Sequence, residues 1–129
     1  MKIAVLIARI LLGLIFVVFG LNFFFPFIPK QPMPTGAAGA FSGGLYGSGY
    51  FFQYMKVLEI LSGLFLLANR YTAFFLLVLL PISLNIALYH TILAPAGAPI
   101  GISIIVLNVF LCIAYIKYYS SVFTAKPTV

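Results

Sequence analysis

Four apolar runs, at about residues 3 to 25, 49 to 68, 72 to 93 and 100 to 119, set the limits on what this chain can become. A helix needs about 20 residues to cross a hydrocarbon core of about 30 Å, and each run is long enough. Hydrophobic residues make up 64 % of the 129 and charged residues 6 %, with a mean hydropathy of +1.23, well outside the range of soluble globular domains. The expected structure is all-α: a four-transmembrane-helix bundle forming one membrane domain over residues 1–129.

A transmembrane barrel is the other way to satisfy every backbone group in lipid, but its strands alternate apolar and polar residues, and these runs are apolar all round. A secretory signal also fits poorly. Lys2 precedes the first run and Ala38-Gly39-Ala40 resembles a cleavage site, yet the run is too long for a signal core and carries Arg9. It is expected to remain as a membrane helix.

With an even number of spans, Lys2, Arg9, Arg70, Lys117 and Lys126 share one side, and Lys30 and Lys56 the other. Basic residues accumulate on the cytoplasmic side, so both termini are expected in the cytoplasm and the chain in the cytoplasmic (inner) membrane. The net charge of +6 is then mostly a topology signal plus attraction to anionic membrane lipid. No basic cluster is dense enough to point to nucleic acid.

The connections are unequal. Asn69-Arg70-Tyr71 predicts a tight cytoplasmic turn, making the second and third spans an antiparallel hairpin. The extracytoplasmic segment 26–48 carries Pro26, Pro29, Pro32 and Pro34, which disfavour helix. Beyond them, Ala37 to Tyr46 reads either as a short interfacial helix, with Phe41 and Leu45 at i, i+4, or as a flexible glycine-rich linker.

Glu59 is the only acidic residue in the chain, and it falls deep in the second run, where a charge is costly enough to need a reason. At about 1.5 Å per helical residue, Asn22 is shallow from the outer side, Lys56 is roughly 10 Å deep, and Asn85 and Asn108 are each about 12 Å deep. Tyr89 and His90 lie above Asn85. Gln53, Lys56 and Glu59 recur every three residues on one helical face. These eight residues predict an outward-opening polar pocket in the bundle. The competing reading is interhelical glue, at about 0.6 kcal/mol per polar contact.

Three explanations stand for Glu59: an ion pair with Arg9 or Lys56, a proton or ligand site, or a docking point for a partner. A structural pair of Arg9 with Glu59 is expected, with Gly13, Gly20 and Gly63 letting the first two spans approach closely. The alternative for Arg9 is snorkelling to cytoplasmic headgroups.

Cys112 is the sole cysteine and His90 the sole histidine, so the chain alone offers neither a disulfide, a thiol relay nor a multi-ligand metal site. No nucleophile–base set or phosphate-binding glycine loop is present, so no catalytic residue is assigned. Pro81 is expected to kink the third span and free a carbonyl near residue 77. Asn108, Cys112, Tyr115 and Tyr119 follow helical spacing and read as a packing seam.

Ala8-Arg9-Ile10-Leu11-Leu12-Gly13-Leu14-Ile15-Phe16 with Gly20-Leu21-Asn22 resembles the first helix of the DoxX family of small four-helix membrane proteins. Lys56-Val57-Leu58-Glu59, Gly63-Leu64 and Asn69-Arg70, then Pro81 and Asn85 through His90, resemble its second and third helices. The resemblance covers Ile7 to His90 and extends more loosely to the fourth span. It carries over Arg9, Asn22, Lys56, Glu59, Asn85 and His90 as positions, without assigning them catalysis. The family takes its name from the small subunit of an archaeal thiosulfate:quinone oxidoreductase, and some members are associated with membrane oxidoreductase complexes.

The leading expectation is a non-enzymatic membrane subunit or scaffold with no intrinsic cofactor, whose polar cluster binds a small lipophilic molecule such as a quinone or a lipid. A membrane subunit of an oxidoreductase complex, which needs a separate catalytic chain, is the alternative. A small transporter or proton pathway through Glu59 is a third, and a homodimer is left open.

Overall fold

Lipid offers the backbone of an apolar run no hydrogen-bond partner, so each run closes its own ladder as helix. The computed structural model describes residues 1–129 and contains five α-helices: α1 Lys2–Phe24, α2 Gly36–Gly47, α3 Phe51–Ala68, α4 Thr72–Leu88 and α5 Ala98–Ala114. With the turns that extend α4 and precede α5, four of these are long and apolar enough to cross a membrane: Lys2–Phe24, Phe51–Ala68, Thr72–Leu93 and Pro95–Ala114. The closest pairs are α1 with α3 and α4 with α5, while α3–α4 and α1–α5 contacts close the ring. Ala8, Leu12, Phe16, Leu66, Leu76, Leu79, Ile104 and Leu111 fill the centre. Leu14, Val18, Leu64, Phe74 and Val106 face outward, as a lipid-bathed surface permits.

Glycine sets the α1–α3 spacing. A Cβ on Gly63 would lie 2.7 Å from the carbonyl oxygen of Gly13, and one on Gly20 would lie 2.5 Å from Cγ1 of Ile60. Small residues thus bring backbone against backbone, as in other membrane helix pairs.

The expected α3–α4 hairpin forms. Asn69 adopts the left-handed conformation (φ 52°), its N–H donating to Leu66 and that of Arg70 to Phe65, which closes the end of α3 as a Schellman motif. The hydroxyl of Thr72 then donates to the side-chain oxygen of Asn69 at 2.8 Å, and Phe65 stacks on Phe75 with ring centres 4.6 Å apart.

The 26–48 segment is not all loop, because Gly36–Gly47 is helical despite its glycines. Tertiary contacts outweigh the weak propensity. The Ser42 hydroxyl donates to the Tyr89 hydroxyl at 3.1 Å, and the Phe41 and Tyr89 rings lie 5.9 Å apart. Gly39 lets the chain fold back on itself, since a Cβ there would lie 2.5 Å from the Pro34 carbonyl oxygen.

The third span covers Thr72–Leu93 as expected, whereas the fourth begins and ends earlier than expected. Pro81 lies inside α4, and a π-helical turn at Tyr89–Leu93 follows the helix. Helix α5 starts at Ala98 and stops at Ala114, with a 3₁₀ turn covering Ile116–Tyr119. Tyr119 is buried there and donates to the Ala73 carbonyl at 2.7 Å, tying this turn to the start of α4.

Candidate functional site

The polar face of α3 is the centre of interest. Lys56 and Glu59, one turn apart, form an ion pair of 3.0 Å between Nζ and Oε2, with side-chain exposures of 19 % and 2 %. Ser62 continues the same three-residue period and is fully buried. Oε1 of Glu59 and Oγ of Ser62 are both buried with no hydrogen-bond partner. Leaving a buried polar group unpaired costs about 1–3 kcal/mol, so two on one face mark an unfinished constellation.

The expected Arg9–Glu59 pair is not formed. Arg9 is buried, but its guanidinium donates to the carbonyl oxygens of Leu66 and, at 3.3 Å, Leu67. The last carbonyls of a helix lack intrahelical partners and carry the negative end of its dipole, so the end of α3 offers a cation a closer acceptor than the carboxylate. Glu59 is left to Lys56, the other cation considered for it.

The remaining polar residues do not converge on one pocket. Asn22 accepts from the backbone N–H groups of Phe27 and Ile28, at 3.0 and 2.9 Å, and so folds the proline segment over the end of α1. Gln53 and Asn85 are exposed on the outer surface of the bundle. Asn108 is buried and donates to the Ser83 hydroxyl at 2.8 Å, while Cys112 lies 3.5 Å from its side-chain oxygen. That is an α4–α5 clasp, the glue reading rather than a pocket wall.

Tyr89 holds α2 down, as described above. His90 pairs through Nδ1 with the Ile86 carbonyl at 2.9 Å, leaving Nε2 on the side of the ring that faces Gly97. A Cβ on Gly97 would fall 2.2 Å from Cδ2 of His90, so the imidazole rests against bare backbone. No three His, Cys, Asp or Glu side chains are grouped as a metal site would require.

Ser62 and Ser83 are buried polar side chains of the bundle that sequence reasoning omitted. Ser62 was readable, because it extends the spacing of Gln53, Lys56 and Glu59 by one more step. Ser83 carried no signal, since only the packing of α4 on α5 brings it to Asn108.

A ring of four membrane-length helices, with one largely buried ion pair, defines a small polytopic membrane protein. The DoxX family model matches residues 4–92, about two-thirds of the chain, and the chain belongs to that family. No curated protein and no solved structure matches it.

Proposed function

We propose that this DoxX-family chain is a non-enzymatic membrane subunit or scaffold that holds the polar end of a small lipophilic molecule of the quinone or quinol class at Lys56, Glu59 and Ser62. The observation that carries this reading is the pair of buried, unpartnered atoms, Oε1 of Glu59 and Oγ of Ser62. Their chemistry is complementary to such a ligand. A carboxylate oxygen accepts from a quinol hydroxyl, and a serine hydroxyl donates to a quinone carbonyl. The ammonium of Lys56 spends one of its three donors on Glu59 and keeps others for a ligand carbonyl. As the more exposed member of the pair, Lys56 marks the side from which a guest would arrive.

On this reading the redox chemistry belongs to a separate oxidoreductase chain, the setting that the family name implies. Both termini are assigned to the cytoplasm, across the inner membrane, on the distribution of basic residues.

Native mass spectrometry of the protein extracted gently from its own membrane, with identification of quinones and lipids, tests the proposal on the wild type, Glu59→Gln and Ser62→Ala. A bound molecule that is weakened or lost in both variants is expected. A spectrum without such a ligand, or one retained equally by both variants, overturns the site.

A proton pathway is the second reading, favoured by the placement of the chain's sole acid deep within a span. Liposomes showing a proton flux abolished in Glu59→Gln would install it in place of the first.

A further inference from the structure

Five of the seven basic side chains belong to the end of the bundle where the chain starts and finishes, and the only acid lies deep in α3, paired with Lys56. Cations at this end therefore have no carboxylate side chain to neutralise them. Three of them meet in a groove of about 390 Å³ between the start of α1 and the end of α5, where Lys2, Arg9 and Lys117 share the lining with Asn69, Tyr115 and Tyr118. Arg9 is committed to α3 carbonyls, whereas Lys2 and Lys117 are exposed and make no ion pair. The ammonium of Lys117 lies 5.1 Å from the centre of the Tyr118 ring, which holds it at the rim of the groove.

A second groove, of about 500 Å³, begins where the first one stops. It shares Asn69, Tyr115 and Tyr118 and continues along Tyr71, Phe74 and Leu77. The two together form one trough, cationic at one end and apolar and aromatic at the other, at the level where tyrosines and lysines meet the headgroups. No carboxylate side chain of the chain pairs with Lys2 or Lys117, and acidic headgroups are the anions a membrane surface offers.

We infer that this trough is a binding site for one acidic phospholipid, with its phosphate between Lys2 and Lys117 and an acyl chain along Tyr71, Phe74 and Leu77. The inference is independent of the Glu59 site and stands or falls separately.

The test uses the full chain in vesicles of phosphatidylethanolamine and phosphatidylglycerol at three to one, extracted for native mass spectrometry. Wild type is expected to retain phosphatidylglycerol in excess of its share. Lys2→Gln/Lys117→Gln should lower that retention on the order of tenfold, because each basic residue near the surface contributes to anionic-lipid attraction. Lys30→Gln/Lys126→Gln, which removes the same charge from outside the groove, should lower it far less, because neither residue lines the groove. No enrichment in the wild type, or an equal loss in the two double variants, overturns the inference. Displacement by soluble glycerol phosphate also overturns it, by making the groove a free-phosphate site.

Discussion

Arg9 on α1 and Leu66 on α3 are joined across the bundle by a buried hydrogen bond from guanidinium to backbone carbonyl. The cation closes the C-terminal end of the neighbouring helix instead of answering the only carboxylate. Arg9→Met should therefore destabilise the protein by about 1–3 kcal/mol, because it removes a charged donor from two carbonyls, of which Leu66 keeps only the Asn69 N–H. Thermal unfolding in detergent measures it. The loss should be the same in a Glu59→Gln background, because the two residues do not touch; a strongly background-dependent loss would contradict this geometry.

The ion pair on α3 predicts an asymmetric pair of mutants. Lys56→Met leaves Glu59 as an uncompensated buried charge and should cost about 3–5 kcal/mol. Adding Glu59→Gln to that variant removes the charge and should recover much of the loss. Chemical unfolding of both variants reads the difference directly.

Glycine positions separate by their surroundings. Gly63→Ala places a methyl 2.7 Å from a backbone oxygen and should lower thermal stability, because the two helices have to part. Gly43→Ala, with nothing within 4 Å of the new methyl, should be neutral or stabilising by up to about 1 kcal/mol through helix propensity. Melting temperatures of the two variants should move in opposite directions, or only the first should move.

The clasp between Asn108 and Ser83 should register in a double-mutant cycle. Replacing each by alanine, singly and together, is expected to give a coupling energy of about 0.6 kcal/mol, and no more than about 1.7. A coupling near zero would mean the 2.8 Å contact contributes nothing in detergent.

Much of the architecture was legible because run length in a membrane is close to a direct readout of helix number. The Asn69-Arg70-Tyr71 turn was legible for a similar reason, being too short to join anything but antiparallel neighbours. Which side of each helix faces inward was not. In a soluble helix an apolar stripe marks the core, but α4 and α5 are apolar on every side, so nothing distinguished the buried Asn108 from the exposed Asn85. Arg9 was assigned a carboxylate because side-chain types show in a sequence and spare backbone carbonyls do not. The α2 helix was undecidable for another reason: it is held by partners distant in sequence, among them Tyr89, more than forty residues along the chain.

The glycine seam between α1 and α3 has a mechanical consequence. Side chains that interdigitate can change rotamer and let a joint breathe, but at Gly13 and Gly63 there are none to swing aside. These two helices form a stiff beam, braced at one end by Arg9. Of the two long seams that flank α3, the one with α4 is therefore the looser joint and the one with α1 the frame.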